Sequence, residues 1–322
     1  MKKNLWHIFL MMLAVLFLSK ETTLAAGNAV SSAAGEAHSL ILKSDGTVWA
    51  WGTNNNGQLG DGTTVQKNVP VQVKGITNIV RIAAGSRHSM ALKADGTVWS
   101  WGYNGDGALG DGSYYPYSNT PVQAVGLTDV AEIAAGGNHG LALKKDGTVW
   151  MWGIIPGISK NIPFKMEGLT DVMAIASGVD HCLAVKKDGT VWAWGWNSSG
   201  QLGINNTANT VIPTQTNGLS NIVSVAAGFN HSLALDINGK VYAWGNGSAG
   251  QIGDGGYFDK LVPVNVTELT EIEEIASGPS AYHSVALKRD GTVYAWGSNS
   301  QGQLGNGTTL SSPRPVKITF TP

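Results

Sequence analysis

The dipeptide Trp-Gly recurs at Trp51, Trp101, Trp152, Trp194, Trp244 and Trp296, at spacings of 50, 51, 42, 50 and 52 residues. Six histidines, His38, His88, His139, His181, His231 and His283, keep the same intervals. Two residue types in step along the chain mean six copies of one unit of roughly fifty residues, and that period restricts the fold to solenoids, propellers or arrays. The fullest copy reads ITNIVRIAAG-SRHSMALKADGTVWSWG-YNGDGALGDG, then a variable piece, then a Pro-led strand such as PVQV.

Each copy reads as four short strands. Ile79 to Ala84 is apolar and β-branched, Ser89 to Lys93 alternates, Thr97 to Trp101 mixes Val and Trp with small residues, and Val71 to Val73 follows Pro70. No helical period is present. Between the second and third strands stand Asp45-Gly46, Asp95-Gly96, Asp146-Gly147, Asp188-Gly189, Asn238-Gly239 and Asp290-Gly291. These are expected to be two-residue type I′ turns, so turn chemistry accounts for the aspartates without calcium. Sheets of four strands fit a radial stack better than a rod, because small residues are wanted where strands crowd an axis. Ala83-Ala84-Gly85, Ala134-Ala135-Gly136 and Ala226-Ala227-Gly228 supply them, which places that strand innermost. The expectation is an all-β, six-bladed β-propeller with four antiparallel strands per blade.

Composition narrows the setting. Gly is 43 of 322 residues and only 13% are charged, yet twelve Trp argue for packing and against a Gly-rich linker. A net charge of -1 offers no basic field for nucleic acid. Lys2 and Lys3 precede an apolar run from Leu5 to Leu18, with Ala25, Ala26 and Gly27 after it. This reads as a secretory signal over 1–26, too short to span a membrane, followed by a single propeller domain over 27–322. The repeats within it run roughly 29–75, 76–126, 127–168, 169–218, 219–269 and 270–322. The product is expected outside the cell as a monomer, and a lone Cys182 builds no disulfide framework.

The pattern Ala-Ala/Ser-Gly, two variable residues, His-Ser-Leu, Asp-Gly-Thr-Val-Trp-x-Trp-Gly and Asn-x-x-Gly-Gln-Leu-Gly resembles the regulator of chromosome condensation repeat, over 29–320. Familiar members of that family have seven blades, so six copies imply a smaller ring or an incomplete one. Copy three is also short: after Trp152-Gly153 it runs into Ile154-Ile155-Pro156 without the Gly-Gln-Leu-Gly loop. The family includes a secreted bacterial propeller that inhibits β-lactamase through aromatic-rich loops on one face. The resemblance therefore implies a secreted, inhibitor-like protein binder. Nucleotide exchange on a nuclear GTPase, the family's founding activity, does not suit an exported chain.

A four-stranded meander brings the turn before each histidine and the long loop after each Trp-Gly to one face. The changeable positions there are Glu36, Arg87, Asn138, Asp180, Phe229 and Tyr282 in the turns, and Tyr103, Tyr114, Tyr115, Tyr117, Trp196, Tyr257 and Phe258 in the loops. Arg and aromatics are what binding hot spots favour. The partner-binding candidates are Arg87, Tyr103, Tyr114, Tyr115, Tyr117, Trp196, Phe229, Tyr257, Phe258 and Tyr282. A protein partner is the leading expectation and a cell-wall glycan the alternative, since the same rings stack on sugars. No catalytic set, metal site or cofactor is expected. The histidines belong to six different blades and read as structural, as do the Trp pairs two residues apart. Cys182 beside His181 makes no nucleophile because neighbours on a strand face opposite ways.

Overall fold

The computed structural model describes residues 27–320, and the expected leader at 1–26 lies outside the described residues. Twenty-four strands form six separate four-stranded antiparallel sheets, each taking its strands in chain order. In blade 2 these are Ile79–Ala84, His88–Lys93, Val98–Tyr103 and Tyr117–Gln123, from the axis outward. Blade 1 spans 29–72, blade 3 130–165, blade 4 172–215, blade 5 222–265 and blade 6 272–317. The inner strands surround an axial channel of about 590 Å³, lined by small residues such as Ala33, Ala83, Ala134, Ala176, Ala226 and Ala276. The fold is thus the six-bladed propeller read from the repeat, with the Ala-rich strand innermost. The Pro-led strand pairs with the Trp-Gly strand of its own copy, Val71 opposite Ala50 and Val122 opposite Ser100. Each blade is one continuous stretch of chain.

The Asp-Gly hairpins depart from the expected type I′ geometry. Only the glycine has positive φ, 77° at Gly46 and 83° at Gly96. Gly46 N–H donates to the Lys43 carbonyl and Lys43 N–H to the Thr47 carbonyl. This is a three-residue loop, a type I turn closed by a left-handed glycine. The aspartate fits the position before that glycine, because its carboxylate accepts from the Thr47 N–H at 3.0 Å and hydroxyl at 2.6 Å. Those bonds hold the Asp45 carboxyl below its ordinary range.

One pattern of contacts joins neighbouring blades. The front of blade 1 offers Leu40, Leu42 and Val48, with Leu59 from its long loop, and the back of blade 2 lays Ala91, Trp99 and Trp101 against them. Trp101 is fully buried and its indole N–H donates to the Gln58 carbonyl of blade 1 at 2.9 Å. Trp152, Trp244 and Trp296 repeat this with the carbonyls of Ala108, Gln201 and Gln251. The other tryptophan of each pair is half-buried beneath a lysine, with Lys43 4.4 Å from the Trp49 ring and Lys186 4.1 Å from the Trp192 ring. Such cation–π contacts contribute about 0.5–1 kcal/mol each at exposed sites.

The histidines tie blade to blade as well. Nε2 of His38, His181 and His231 meets the hydroxyl of Ser89, Ser232 and Ser284 in the next blade at 2.9, 3.0 and 2.9 Å. Cys182 stands where those serines stand, so His139 bonds to Ser177 at 2.6 Å, with the Cys182 sulfur 3.4 Å away. Cys182 therefore faces a histidine of another blade and not His181. Complete burial pushes its thiol far above the ordinary range, and a thiol kept protonated is no nucleophile.

Five interfaces share this packing, each with a buried hydrophobic cluster, although the histidine bond is missing where Gly140 stands opposite His88 and the indole bond is missing at Trp194. Blade 6 meets blade 1 differently. The second strand of blade 4, His181–Lys186, is buried at its first five positions because both its faces are covered. In His38–Lys43 of blade 1 and His283–Lys288 of blade 6 burial alternates, as it does when one face is open. Val285, Leu287 and Val293 on the front of blade 6, and Ile41 and Trp51 on the back of blade 1, are only half-buried. A methyl group added at Gly57 would lie 2.5 Å from the Cα of Asn119 in the next blade, whereas the equivalent Gly302 has no atom within 4 Å. Among the described residues, the bonds made by Trp296 and His231 have no counterpart from Trp51 or His283. The turn of blade 6, four residues at 279–282 against two at 86–87 in blade 2, reaches past the seam and brings the Ser280 hydroxyl 3.2 Å from that of Ser86 in blade 2.

Candidate functional site

Backbone hydrogen bonds fix which parts of the repeat share a face. Tyr103 N–H donates to the Arg87 carbonyl, Trp196 N–H to Asp180 and Ser298 N–H to Tyr282. The root of every such long loop is thereby clamped to the short turn before the histidine, and both emerge on what we term the upper face. At the opposite end the hairpin turns of blades 1 to 5 abut the next inner strand: Ile79 N–H donates to the Gly46 carbonyl and Val130 N–H to Gly96. The lower face repeats itself and the upper face varies.

Within the long loops, the repeated segment is a lock between blades and not part of the display. Asn54 accepts from the Leu59 N–H through Oδ1 and donates through Nδ2 to the carbonyls of Thr63 and Val65, which folds the loop on itself. Its glycines then fit under blade 2, Gly57 against Asn119 and Gly60 against Trp101. Display is left to the residues beyond the lock. Tyr114, Tyr115 and Tyr117 are exposed, Tyr115 to 76%, and so do not cover core. Tyr257 and Phe258 are exposed likewise, Phe258 to 78%. Trp196 is partly exposed, its indole N–H donating to the Ser198 hydroxyl at 2.6 Å.

The structure gathers these candidates into two groups. On blade 2, Tyr103 and Tyr117 face each other across the third and outer strands. Arg87 of the same blade is exposed, with Glu36 of blade 1 at 3.7 Å. Burial, with the nearby Asp106 carboxylate, raises the Tyr103 hydroxyl above its ordinary range. On blades 4 to 6 stand Trp196, Tyr257 and Phe258, together with Phe229 stacked on Tyr282 at 4.7 Å between centroids and 20° between planes. Blade 3 separates the groups on one side and the seam-bearing blade 1 on the other.

Blade 3 holds a feature that the sequence reading passed over. Its third and outer strands join through a tight Pro156-Gly157 turn in place of the lock loop. A notch of about 480 Å³ opens there, lined by Ile154, Ile155, Pro156, Ile158, Ser159 and Asp180. The signal was present in copy three, which lacks a loop next to a copy with Asp before its histidine. Among the described residues no group of three His, Cys, Asp or Glu is placed to hold a metal ion.

Comparison with known proteins agrees with this architecture. The RCC1-like domain family matches residues 15–321. Prp20p from Saccharomyces cerevisiae, whose crystal structure was described with its binding properties to Gsp1p and histones, is 26% identical. It superposes with a TM-score of 0.79 over 91% of this chain and 77% of its own. Human WBSCR16 is 25% identical with a TM-score of 0.80, over 91% of this chain and 83% of its own. A zebrafish (Danio rerio) RCC2 homolog is 45% identical over 40 residues, 12% of this chain and 8% of the relative. The matched segment is thus a small fraction of that curated protein.

Proposed function

The chain belongs to the RCC1-like domain family, and from that premise we propose that it is a non-catalytic binding protein, exported behind a leader at 1–26, whose propeller over 27–322 grips a protein partner with its upper face and inhibits an extracellular enzyme. Protein binding by a similar propeller, Prp20p, supports the class of function. The observation that carries it is the exposure of Tyr115 and Phe258, large rings that stand beyond the part of each loop that packs under the next blade through Gly107 and Gly250. Such rings give little to the fold where they stand, and they match what fills pockets at interface hot spots.

Replacing Tyr114, Tyr115 and Tyr117 together by Ala tests the reading. Partners captured from the medium around the producing cells by the unaltered protein, and identified by mass spectrometry, are expected to be lost by the triple variant. Its thermal unfolding should shift by no more than about 0.5 kcal/mol, as for surface sites. Retention of the same protein by both forms overturns the assignment of the face, and retention of wall polysaccharide alone moves the function to glycan binding.

A further inference from the structure

Across the upper face, the residue just before the histidine reaches back to the long loop of the preceding blade in blades 3 and 5. Asn138 of blade 3 donates to the Asp106 carboxylate of blade 2 at 3.0 Å, and Asn230 of blade 5 accepts from the Gln201 side chain of blade 4 at 3.2 Å. In blade 4 this residue is Asp180, and the loop it would meet is the one blade 3 lacks. Two polar groups are left over at that place. No side-chain partner within hydrogen-bond or ion-pair distance of the Asp180 carboxylate is present among the described residues, and the Trp194 indole N–H, bonded to a loop carbonyl in blades 2, 3, 5 and 6, is buried without a partner.

We infer that this notch is the anchoring pocket for a lysine or arginine side chain of the protein partner. The inference deepens the reading of the upper face and rests on it. Its walls, Ile154, Ile155, Pro156 and Ile158, suit the methylene stem of such a side chain, and Asp180 lies where the charged head would end. Half-burial without a partner raises the Asp180 carboxyl above its ordinary range, a cost that an incoming cation removes. The notch also lies between the two aromatic groups, with Trp196 N–H bonded to the Asp180 carbonyl, so one partner segment can touch rings on either side. A small ligand of the same charge would leave those rings unused, which favours a polypeptide.

The test pans a random peptide display library on the whole chain and measures the selected peptides against variants. Peptides carrying Lys or Arg are expected, and their affinity should fall about tenfold or more with Asp180→Asn, as when a charge-assisted bond is lost. Asp180→Lys should abolish their binding and, panned afresh, select Glu- or Asp-bearing peptides instead. Both variants should unfold at the temperature of the parent, since the Asp180 carboxylate makes no hydrogen bond or ion pair within the described fold and its backbone bond to Trp196 survives either change. Peptides that bind Asp180→Asn as well as the parent overturn the notch assignment. If those peptides are still lost from the Tyr114, Tyr115 and Tyr117 triple variant, the upper-face reading survives without the notch; if they are insensitive to both, the two readings fail together.

Discussion

The junction of blades 5 and 6 and the junction of blades 6 and 1 are built from the same repeat, yet only the first is packed. Leu233, Leu235 and Val241 are buried against Trp296 in the one, while Val285, Leu287 and Val293 stay half-open opposite Trp51 in the other. The repeat therefore carries both halves of an interlock, a front of aliphatics and carbonyls and a back of Trp and Ser. Six copies of such an interlock do not oblige the ring to close on itself. Cohesion in the molecule belongs to five junctions, and the longer turn of blade 6 reaches past the sixth to bring Ser280 to Ser86 of blade 2.

Acid should separate the two kinds of junction most strongly. Burial holds His38 and His88 at about 4, and His139, His181 and His231 at about 3. Their unfolded value is about 6.5, so the unfolded chain binds protons first and the fold is most favoured above that value. Stability then falls as pH drops from about 6.5 towards 4, by about 1.4 kcal/mol per pH unit for each histidine and roughly 7 for the five. Glu132 is pushed up to about 7 by burial, against the pull of Arg81, and opposes this with the slope of one group. A total stability of about 5–15 kcal/mol cannot absorb that loss, and cooperative unfolding is expected between about pH 6 and 4. Circular dichroism during acid titration measures it. His231→Gln should flatten the slope more than His283→Gln at the seam, and equal effects would erase the distinction.

Truncating matched tryptophans comes next in size. Trp244→Ala removes a fully buried ring and its bond to the Gln201 carbonyl, and should cost about 3–5 kcal/mol in denaturant unfolding. Trp51→Ala at the seam should cost about 1 kcal/mol, in keeping with partial burial. A comparable loss from Trp51→Ala would mean that blades 6 and 1 pack in solution. The smallest effect is the serine pair. Ser232→Ala strands His181 and should cost about 1 kcal/mol, whereas Ser39→Ala, on the open back of blade 1, should leave the melting temperature unchanged.

Blade number, strand order and the structural role of His and Trp were legible because a repeat states each of them several times over. The Asp-Gly turns were misread since that pair also suits a type I′ hairpin, and nothing in Ser44 or Ala94 announces a third loop residue. The seam had one marker in the sequence. Blade 1 has Ile41 where the other five copies have Ala91, Ala142, Ala184, Ala234 and Ala286, the small residue that a packed back face needs. One branched side chain among hundreds of residues is easily passed over. The notch was harder still, since it consists of a missing segment whose effect appears only once the neighbouring blade is set beside it.

Because each blade keeps its outermost strand within its own copy, a repeat is also a unit of inheritance. A duplication or deletion cut at a repeat boundary adds or removes a whole sheet and breaks no strand ladder. A ring fastened by a strand borrowed from the far end of the chain would have to carry that fastening through every such event. Here the number of blades can drift over evolutionary time, at the cost of remaking a single junction of side chains.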